Sequence, residues 1–223
     1  MTSPSNVGHA ISPAGRAALS AIGTNVLTIA TGLLIAMSLS FIGIGGGSWL
    51  DPRVAARQVL IASVSLVPLV IAARAGGWAW SSIGVTRSRL GRSLVAGATI
   101  GLGWLIASGT MTELQQPRPA HLYVLVAAAA VAFSEEVVTR GYVQSRVVAW
   151  LGNGRGIVVT ALIFAILHVP QRLLAGVLGA DLVVQLGVVA AIGLALGVLQ
   201  QITRNIALPT VVHTAIDWSS RFS

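Results

Sequence analysis

The sequence predicts an all-α protein, a polytopic bundle of about seven or eight transmembrane helices. Of its 223 residues, 14 are basic and 6 are acidic, which makes 9% charged, whereas a soluble domain has roughly 25%. Hydrophobic residues make up 55% of the chain, and the mean hydropathy is +0.84. This composition excludes a water-soluble enzyme and an intrinsically disordered chain. We therefore expect an integral membrane protein in contact with the lipid bilayer.

The charge distribution supports this class. All the basic residues are arginines, and they lie in short segments between apolar runs, as the positive-inside rule expects. A net charge of +8 would also fit nucleic acid, but a DNA-binding protein clusters its basic residues on one face, so we predict no nucleic-acid partner. Because the chain has no cysteine, any metal would have to be bound by histidine and carboxylate side chains.

The apolar runs place the helices in order along the chain. Residues 1–16 are small and polar and predict a cytoplasmic N-terminal tail. A transmembrane helix needs about 20 mostly apolar residues. Seven candidate spans follow the tail, at about 17–44, 54–73, 94–108, 122–148, 156–169, 182–200 and 206–219, and the long first run or residues 171–182 could contain an eighth.

The most basic loop sets the predicted orientation. Residues 74–92 contain four arginines and no acid, so the positive-inside rule places this loop in the cytoplasm. The N-terminus is then inside and residues 109–121 are outside, with Arg53 and Arg57 as exceptions on the outer side. The Arg-only basic composition favours a prokaryotic cytoplasmic membrane.

Two pairs of glycines are spaced for close helix packing. Gly97 and Gly101 lie in the third predicted span, and Gly193 and Gly197 lie in the sixth. Small residues four positions apart share one helix face and allow two membrane helices to approach closely. We predict a packing role for both pairs.

Ionisable residues occur inside three of the predicted spans. Each such residue costs about 2.5–3.5 kcal/mol in hydrocarbon even on the gentler insertion scale, and such residues usually mark functional sites. They are Glu135, Glu136 and Arg140 in the fourth span, His168 in the fifth, and His213 and Asp217 in the seventh.

Helix geometry indicates which of these side chains meet. Glu136 and Arg140 are four residues apart and share a helix face, as do His213 and Asp217. Glu135 is turned about 100° from Glu136 and is free to face a different partner. Taken singly, the residues have structural interpretations: an ion pair for Glu136 and Arg140, and a position at the membrane surface for Asp217.

The depth of these residues favours a common site. At a rise of 1.5 Å per residue, Glu135, His168 and His213 each lie about 14–18 Å from the basic end of their helix, close to half of the ~30 Å hydrocarbon core. A carboxylate and two imidazoles at one level can activate a water, as a general base or through a metal. The second of these His residues, with an Asp, can then stabilise an oxyanion. Together these groups predict amide hydrolysis.

Three motifs at these positions resemble those of one known family. Residues 135–140 read EEVVTR and match EExxxR, residues 164–168 read FAILH and match FxxxH, and residues 213–217 read HTAID and match HxxxN/D. Their order and spacing resemble the CPBP family of intramembrane peptidases, which comprises CAAX proteases and bacteriocin-processing enzymes and is also called Abi. The eukaryotic Ras-converting CAAX endopeptidase is a relative.

The resemblance implies a domain organisation. Residues 122–223 would form the CPBP-like catalytic membrane core. Residues 17–121 would contribute N-terminal membrane helices and the basic loop, and residues 1–16 the tail. The implied activity is that of an intramembrane endopeptidase acting on a membrane-associated peptide or protein, by CAAX-type cleavage or by processing of a leader or signalling peptide.

The resemblance also implies roles for the site residues. Glu135 with His168 would activate the water, and His213 with Asp217 would stabilise the oxyanion. Activation without a metal is one possibility; the other is a divalent metal such as zinc on Glu135, His168 and His213. Many members have Asn at the position of Asp217, and an ionised Asp favours a metal-binding or His-orienting role there. The supporting residues would be Glu136, Arg140 and Phe164, the last packing against the site.

Two other classes of function remain open at this point. Buried carboxylates, His and Arg also form proton or ion pathways, so a small proton- or ion-coupled transporter is an alternative, although no inverted repeat is visible. A non-catalytic family member that acts as an immunity or scaffold protein is the other.

Overall fold

The computed structural model describes residues 11–44 and 47–222 and confirms the all-α prediction, since these residues contain helices and no strand. The predicted tail falls mainly outside the described residues. A short 3₁₀ helix spans Trp80–Ile83 and a π-helical segment spans Val137–Gln144. The α-helices are α1 Pro13–Phe41, α2 Pro52–Ser65, α3 Val67–Gly76, α4 Leu90–Ala107, α5 Thr110–Glu113, α6 Pro119–Glu136, α7 Ser145–Leu151, α8 Asn153–Leu167, α9 Val169–Leu174, α10 Gly179–Thr203 and α11 Ala207–Ser219.

Six helical stretches of the described chain are long and apolar enough to cross a membrane. They correspond to the first six predicted spans and are Pro13–Phe41, Pro52–Gly76, Leu90–Ala107, Pro119–Leu151, Asn153–Leu174 and Gly179–Thr203. The seventh predicted span is α11, with 13 residues. At 1.5 Å per residue it is about 20 Å long, which is short for a ~30 Å core.

Proline and capping side chains start the first two helical stretches. Pro13 and Pro52 occupy the first helical positions, where the missing N–H leaves no bond unmade. The side-chain oxygens of Ser12 and Asp51 accept hydrogen bonds from backbone N–H groups of the first turn. These caps explain why α1 begins at Pro13, four residues before the predicted start of the first span.

The predicted glycine pairs do pack closely against neighbouring helices. A Cβ on Gly97 would lie 2.9 Å from Cβ of Val211, and one on Gly101 would lie 3.2 Å from Cβ of Ala215. Both contacts join α4 to α11. On α10, Gly193 faces α8 at Phe164 and Ala161, and Gly197 faces Gln144 and Ile157. The packing role predicted for both pairs is confirmed.

The π-helical segment interrupts what the sequence predicts as one continuous fourth span. Every residue from Val137 to Gln144 is buried, and the segment follows directly after Glu136. A Cβ on Gly141 would lie 2.6 Å from the backbone oxygen of Ile83, so this glycine lets the segment approach the 3₁₀ helix. Such π turns occur frequently at functional sites.

The main core lies around this segment, and the outer helix faces remain apolar. Large hydrophobic side chains such as Leu34, Ile71 and Val183 are 62–70% exposed, which suits helices whose outer surface contacts lipid. The core cluster consists of Ala18, Ala21, Leu69, Ile83, Val137, Val138, Tyr142, Val143, Val147 and Ile206.

Candidate active site

The site residues come from three helices that meet near the middle of the bundle. Glu135 and Glu136 end α6, and Arg140 lies in the π-helical segment. His168 is the residue after the last turn of α8, and His213 and Asp217 lie on α11. Because α11 packs against both α4 and α6, its histidine is brought to the two glutamates.

Glu136 is the central member of a row of buried polar side chains that contact one another. Its Oε2 lies 3.5 Å from Nε of Arg140, and its Oε1 lies 2.9 Å from Nδ1 of His213. The side chains of Glu136 and Arg140 are 0% and 1% exposed. The predicted ion pair is therefore present, and it extends to a histidine on another helix. Because a carboxylate only accepts, Nδ1 of His213 donates this hydrogen bond.

The other ring nitrogen of His213 faces two more carboxylates. Its Nε2 lies 3.9 Å from Oε2 of Glu135 and 3.7 Å from Oδ1 of Asp217. These two side chains are 25% and 21% exposed, in contrast to the buried Glu136. Both separations exceed a direct hydrogen bond.

His168 has a fixed orientation at the end of α8. Its Nδ1 lies 2.7 Å from the backbone oxygen of Phe164, and because a carbonyl only accepts, Nδ1 carries the proton. Its Nε2 is therefore the nitrogen with the lone pair in the neutral ring. Among the described residues, no hydrogen bond or ion pair joins His168 to Glu135, His213 or Asp217.

Phe164 lies between the two histidines. Its ring centroid is 4.6 Å from that of His168 and 6.1 Å from that of His213, both edge-to-face. The Arg140 guanidinium carbon lies 4.1 Å from the same centroid, in the range of a cation–π interaction. Phe164 therefore packs against His168, His213 and Arg140.

Two cavities open beside these residues. The first has a volume of about 300 Å³, lies between α1, α2, α6 and α8, and is lined by Glu135, His168 and Arg57 among mostly apolar side chains. The second has a volume of about 270 Å³, lies between α8, α10 and α11, and is lined by His168, His213 and Asp217. His168 thus borders both cavities.

The residues named for a metal are not arranged as ligands. In the described part of the chain, no group of three His or carboxylate side chains is placed to hold a metal ion. Nδ1 of His168 faces a backbone oxygen and Nδ1 of His213 faces Glu136, which leaves Nε2 of each ring for another partner, as in a metal-bound histidine. The grouping is what does not fit, because Glu135, His168 and His213 do not form a set that could hold one ion.

Two side chains at the site were not predicted from the sequence. Arg57, an exception in the predicted orientation, lines the first cavity and donates hydrogen bonds to Ala36 and Ser40 of α1. Gln144 is buried and donates through Nε2 to the backbone oxygen of Gly197, at 2.9 Å. Both are polar residues inside predicted spans, 54–73 and 122–148, which is the sequence signal that could have identified them.

Comparison with known proteins identifies the part of the chain that carries the site. Residues 117–219 match the family described as Type II CAAX prenyl endopeptidase Rce1-like. No curated protein and no solved structure matches the chain. The matched residues include all three motifs, from Glu135 to Asp217, and the family is one of peptidases. The match over residues 117–219 is consistent with a CPBP family endopeptidase.

Proposed function

We propose that this protein is an intramembrane endopeptidase that hydrolyses a peptide bond of a membrane-associated substrate. One observation carries the proposal: His213 is held by Glu136 through Nδ1 while its Nε2 faces the carboxylates of Glu135 and Asp217. An oriented imidazole beside a partly exposed carboxylate, within a membrane bundle, supplies the groups that acyl-transfer chemistry requires.

Glu135 with His168 activates the water in this proposal. Both side chains line the first cavity, and the lone pair on Nε2 of His168 accepts a hydrogen bond from the water. Glu135 takes a proton as the water oxygen attacks the substrate carbonyl carbon. It then returns this proton to the leaving amine as the C–N bond breaks. The products are a carboxylate and an amine.

His213 stabilises the oxyanion as an imidazolium. Nδ1–H donates to Glu136, which leaves Nε2–H to donate to the developing negative oxygen. The carboxylates of Glu135, Glu136 and Asp217 surround this ring and compensate its positive charge. An ionised Asp217 is not a donor, so we assign it the His-orienting role. No step passes through a metal, because the residues are not arranged to hold one.

The first cavity is the proposed binding site for the substrate chain. Its volume of about 300 Å³ is enough for a short extended segment. Its lining includes Ile29, Leu33, Ile61 and Leu167, which favours apolar side chains. A CAAX-type C-terminus and an apolar leader or signalling peptide both meet this requirement, and a membrane-associated substrate reaches the cavity from the bilayer.

The proposal is tested by comparing the membrane peptidomes of cells that produce the wild type and Glu135→Ala. We expect peptide fragments that occur with the wild type and are missing with the variant. Glu113→Ala is the matched control, because Glu113 is an exposed carboxylate in α5 away from the site. Identical peptidomes with all three proteins, each inserted normally, would contradict a protease. Loss of an ion flux instead of cleavage would favour a transporter.

A further inference from the structure

Exposed arginines collect at one end of the bundle, which is formed by the segment between α3 and α4, the start of α8 and the end of α10. Side chains from all three segments line a third cavity there, among them Ser81, Asn153 and Arg204. The 6 acids of the chain lie elsewhere, at the opposite end or in the candidate active site. We call this end the basic end, and its exposed arginines are Arg74, Arg87, Arg89, Arg92, Arg155 and Arg204.

The arginines of the basic end have no counter-charge within the described chain. There, the ion pairs join Glu136 to Arg140 and His213 to three carboxylates, and none includes an arginine of the basic end. Two tryptophans at this end, Trp80 and Trp150, are 42% and 40% exposed. Tryptophan is enriched at the level of the lipid headgroups. The unpaired positive charges therefore lie close to the depth of the phosphate groups of the bilayer.

Three of these arginines are brought together by one buried side chain. Asn205 is 1% exposed, and its Nδ2 donates hydrogen bonds to the backbone oxygens of Thr86 and Ser88, at 2.9 and 2.8 Å. These bonds hold the loop before α4 against the end of α10. The loop and the helix end carry three exposed arginines, which we call the arginine cluster: Arg87, Arg89 and Arg204.

The backbone does not favour arginine at two positions of the arginine cluster. Arg89 has a φ of 58° and Arg204 a φ of 51°, and they are the non-glycine residues with positive φ in the described chain. Glycine adopts this left-handed conformation at the least cost, and it is the usual residue where a helix such as α10 ends. Backbone conformation alone would select glycine at both positions, so arginine there indicates a role for the charge.

We propose that the arginine cluster binds the phosphate of an anionic phospholipid, such as phosphatidylglycerol, from the leaflet at the basic end. Arginine binds phosphate oxygens through two parallel hydrogen bonds, and basic pockets between membrane helices bind anionic headgroups. Arg204 borders the third cavity, whose exposed rim adds the hydroxyl of Ser81 and the amide of Asn153 as further donors. This binding does not depend on the proposed peptidase activity.

Lipid binding to the full-length protein in detergent tests the arginine cluster. Phosphatidylglycerol and phosphatidylcholine are titrated separately, and bound lipid is counted by native mass spectrometry. We expect the wild type to bind phosphatidylglycerol at least about tenfold more tightly than phosphatidylcholine, and Arg204→Gln to bind phosphatidylglycerol about fivefold more weakly than the wild type. The matched control is Arg53→Gln, which removes an exposed arginine at the opposite end of the bundle and should bind both lipids as the wild type does.

The double variant Arg89→Gly/Arg204→Gly separates lipid binding from folding. Because glycine suits the positive φ of both positions, we expect an unfolding temperature no lower than that of the wild type, with phosphatidylglycerol bound about 25-fold more weakly. A lower unfolding temperature with unchanged lipid binding would show that the arginines serve the fold, and would overturn the proposal.

Three other results would overturn it as well. The first is equal binding of the two lipids by the wild type. The second is an equal loss of phosphatidylglycerol binding in Arg204→Gln and Arg53→Gln, since binding would then follow net charge and not the arginine cluster. The third is displacement of phosphatidylglycerol by millimolar inorganic phosphate, which would identify the ligand as a free anion and not a lipid.

Discussion

Glu135 and Glu136 are adjacent in sequence, yet their carboxylates have opposite surroundings. Glu135 is 25% exposed and borders the first cavity, whereas Glu136 is 0% exposed and bonded to His213 and Arg140. A catalytic base must reach substrate and water, while a buried ion pair maintains structure. Glu135 is therefore placed for catalysis, and Glu136 for maintaining the structure of the site.

Alanine at each position should separate these roles. Glu136→Ala leaves Arg140 buried without its partner, and we expect a loss of about 3–5 kcal/mol of unfolding free energy. Glu135→Ala should change stability by less than about 1 kcal/mol, since it removes a partly exposed group, while cleavage is lost. Thermal unfolding of both variants in the same detergent makes the comparison. Equal destabilisation by the two substitutions would contradict the division of roles.

Asp217 provides a second test at the residue scale. Its Oδ1 lies 3.7 Å from Nε2 of His213, so a shortened side chain loses an orienting contact. Asp217→Asn keeps the shape of the side chain, and we expect its kcat to stay within about tenfold of the wild type. In Asp217→Ala, kcat should fall by about a hundredfold, as for removal of an orienting partner. KM should change little in both variants. Equal losses with Asn and Ala would mean that the charge, not the contact, matters.

The arrangement of the site residues also predicts the effect of chelators. No group of three His or carboxylate side chains in the described chain is placed to hold a metal ion. Treatment of the purified protein with EDTA or phenanthroline should therefore leave the cleavage rate within about twofold of the untreated rate. Catalysis by a bound metal would be lost with the metal. Loss of activity that zinc restores would instead assign the water activation to a metal.

At the scale of helices, the contact of α4 with α11 decides where the site residues of α11 lie. Gly97 and Gly101 leave room for Val211 and Ala215 on α11, the helix that carries His213 and Asp217. Any side chain on this face of α4 would push α11 outward. The small residues of α4 therefore help to set the position of α11, and with it the positions of His213 and Asp217.

A matched pair of glycine substitutions tests this contact. In Gly97→Leu the new Cβ would lie 2.9 Å from Cβ of Val211, and we expect a loss of about 1–3 kcal/mol from overpacking together with reduced cleavage. Gly103→Leu is the control, because the same helix has nothing within 4 Å of a Cβ at Gly103. Unfolding in detergent and cleavage are measured on both. If Gly103→Leu were as damaging as Gly97→Leu, the contact with Val211 would not explain the effect, since leucine has a higher helix propensity than glycine at both positions.

The sequence predicts the helices better than it predicts their internal geometry. Hydropathy alone locates the first six spans to within a few residues, because apolar runs in a membrane protein have no competing interpretation. The π-helical segment Val137–Gln144 is not predicted, since hydropathy and spacing locate a helical span but do not distinguish a π turn within it from an α-helix. The link of Glu136 to His213 was also missed, because spacing reveals contacts within a helix but not between helices.

At the scale of the whole molecule, polar groups form a path through an apolar bundle. The chain has only 6 acids and 14 arginines, and three of the acids contact His213. Arg140, Glu136, His213 and the second cavity follow one another in contact. The sequence shows that these charges lie within membrane spans, and only the packing of the helices shows that they meet.

Hydrolysis by the purified protein is the most direct test of the proposed peptidase activity. Wild type, Glu135→Gln and the control Glu113→Gln are reconstituted in liposomes with the substrate found in the peptidome, in water enriched in ¹⁸O. We expect a product with one ¹⁸O in its new carboxyl terminus for the wild type and the control. For Glu135→Gln we expect a rate lower by about 10²–10⁴. Cleavage by Glu135→Gln at the wild-type rate would contradict the proposal.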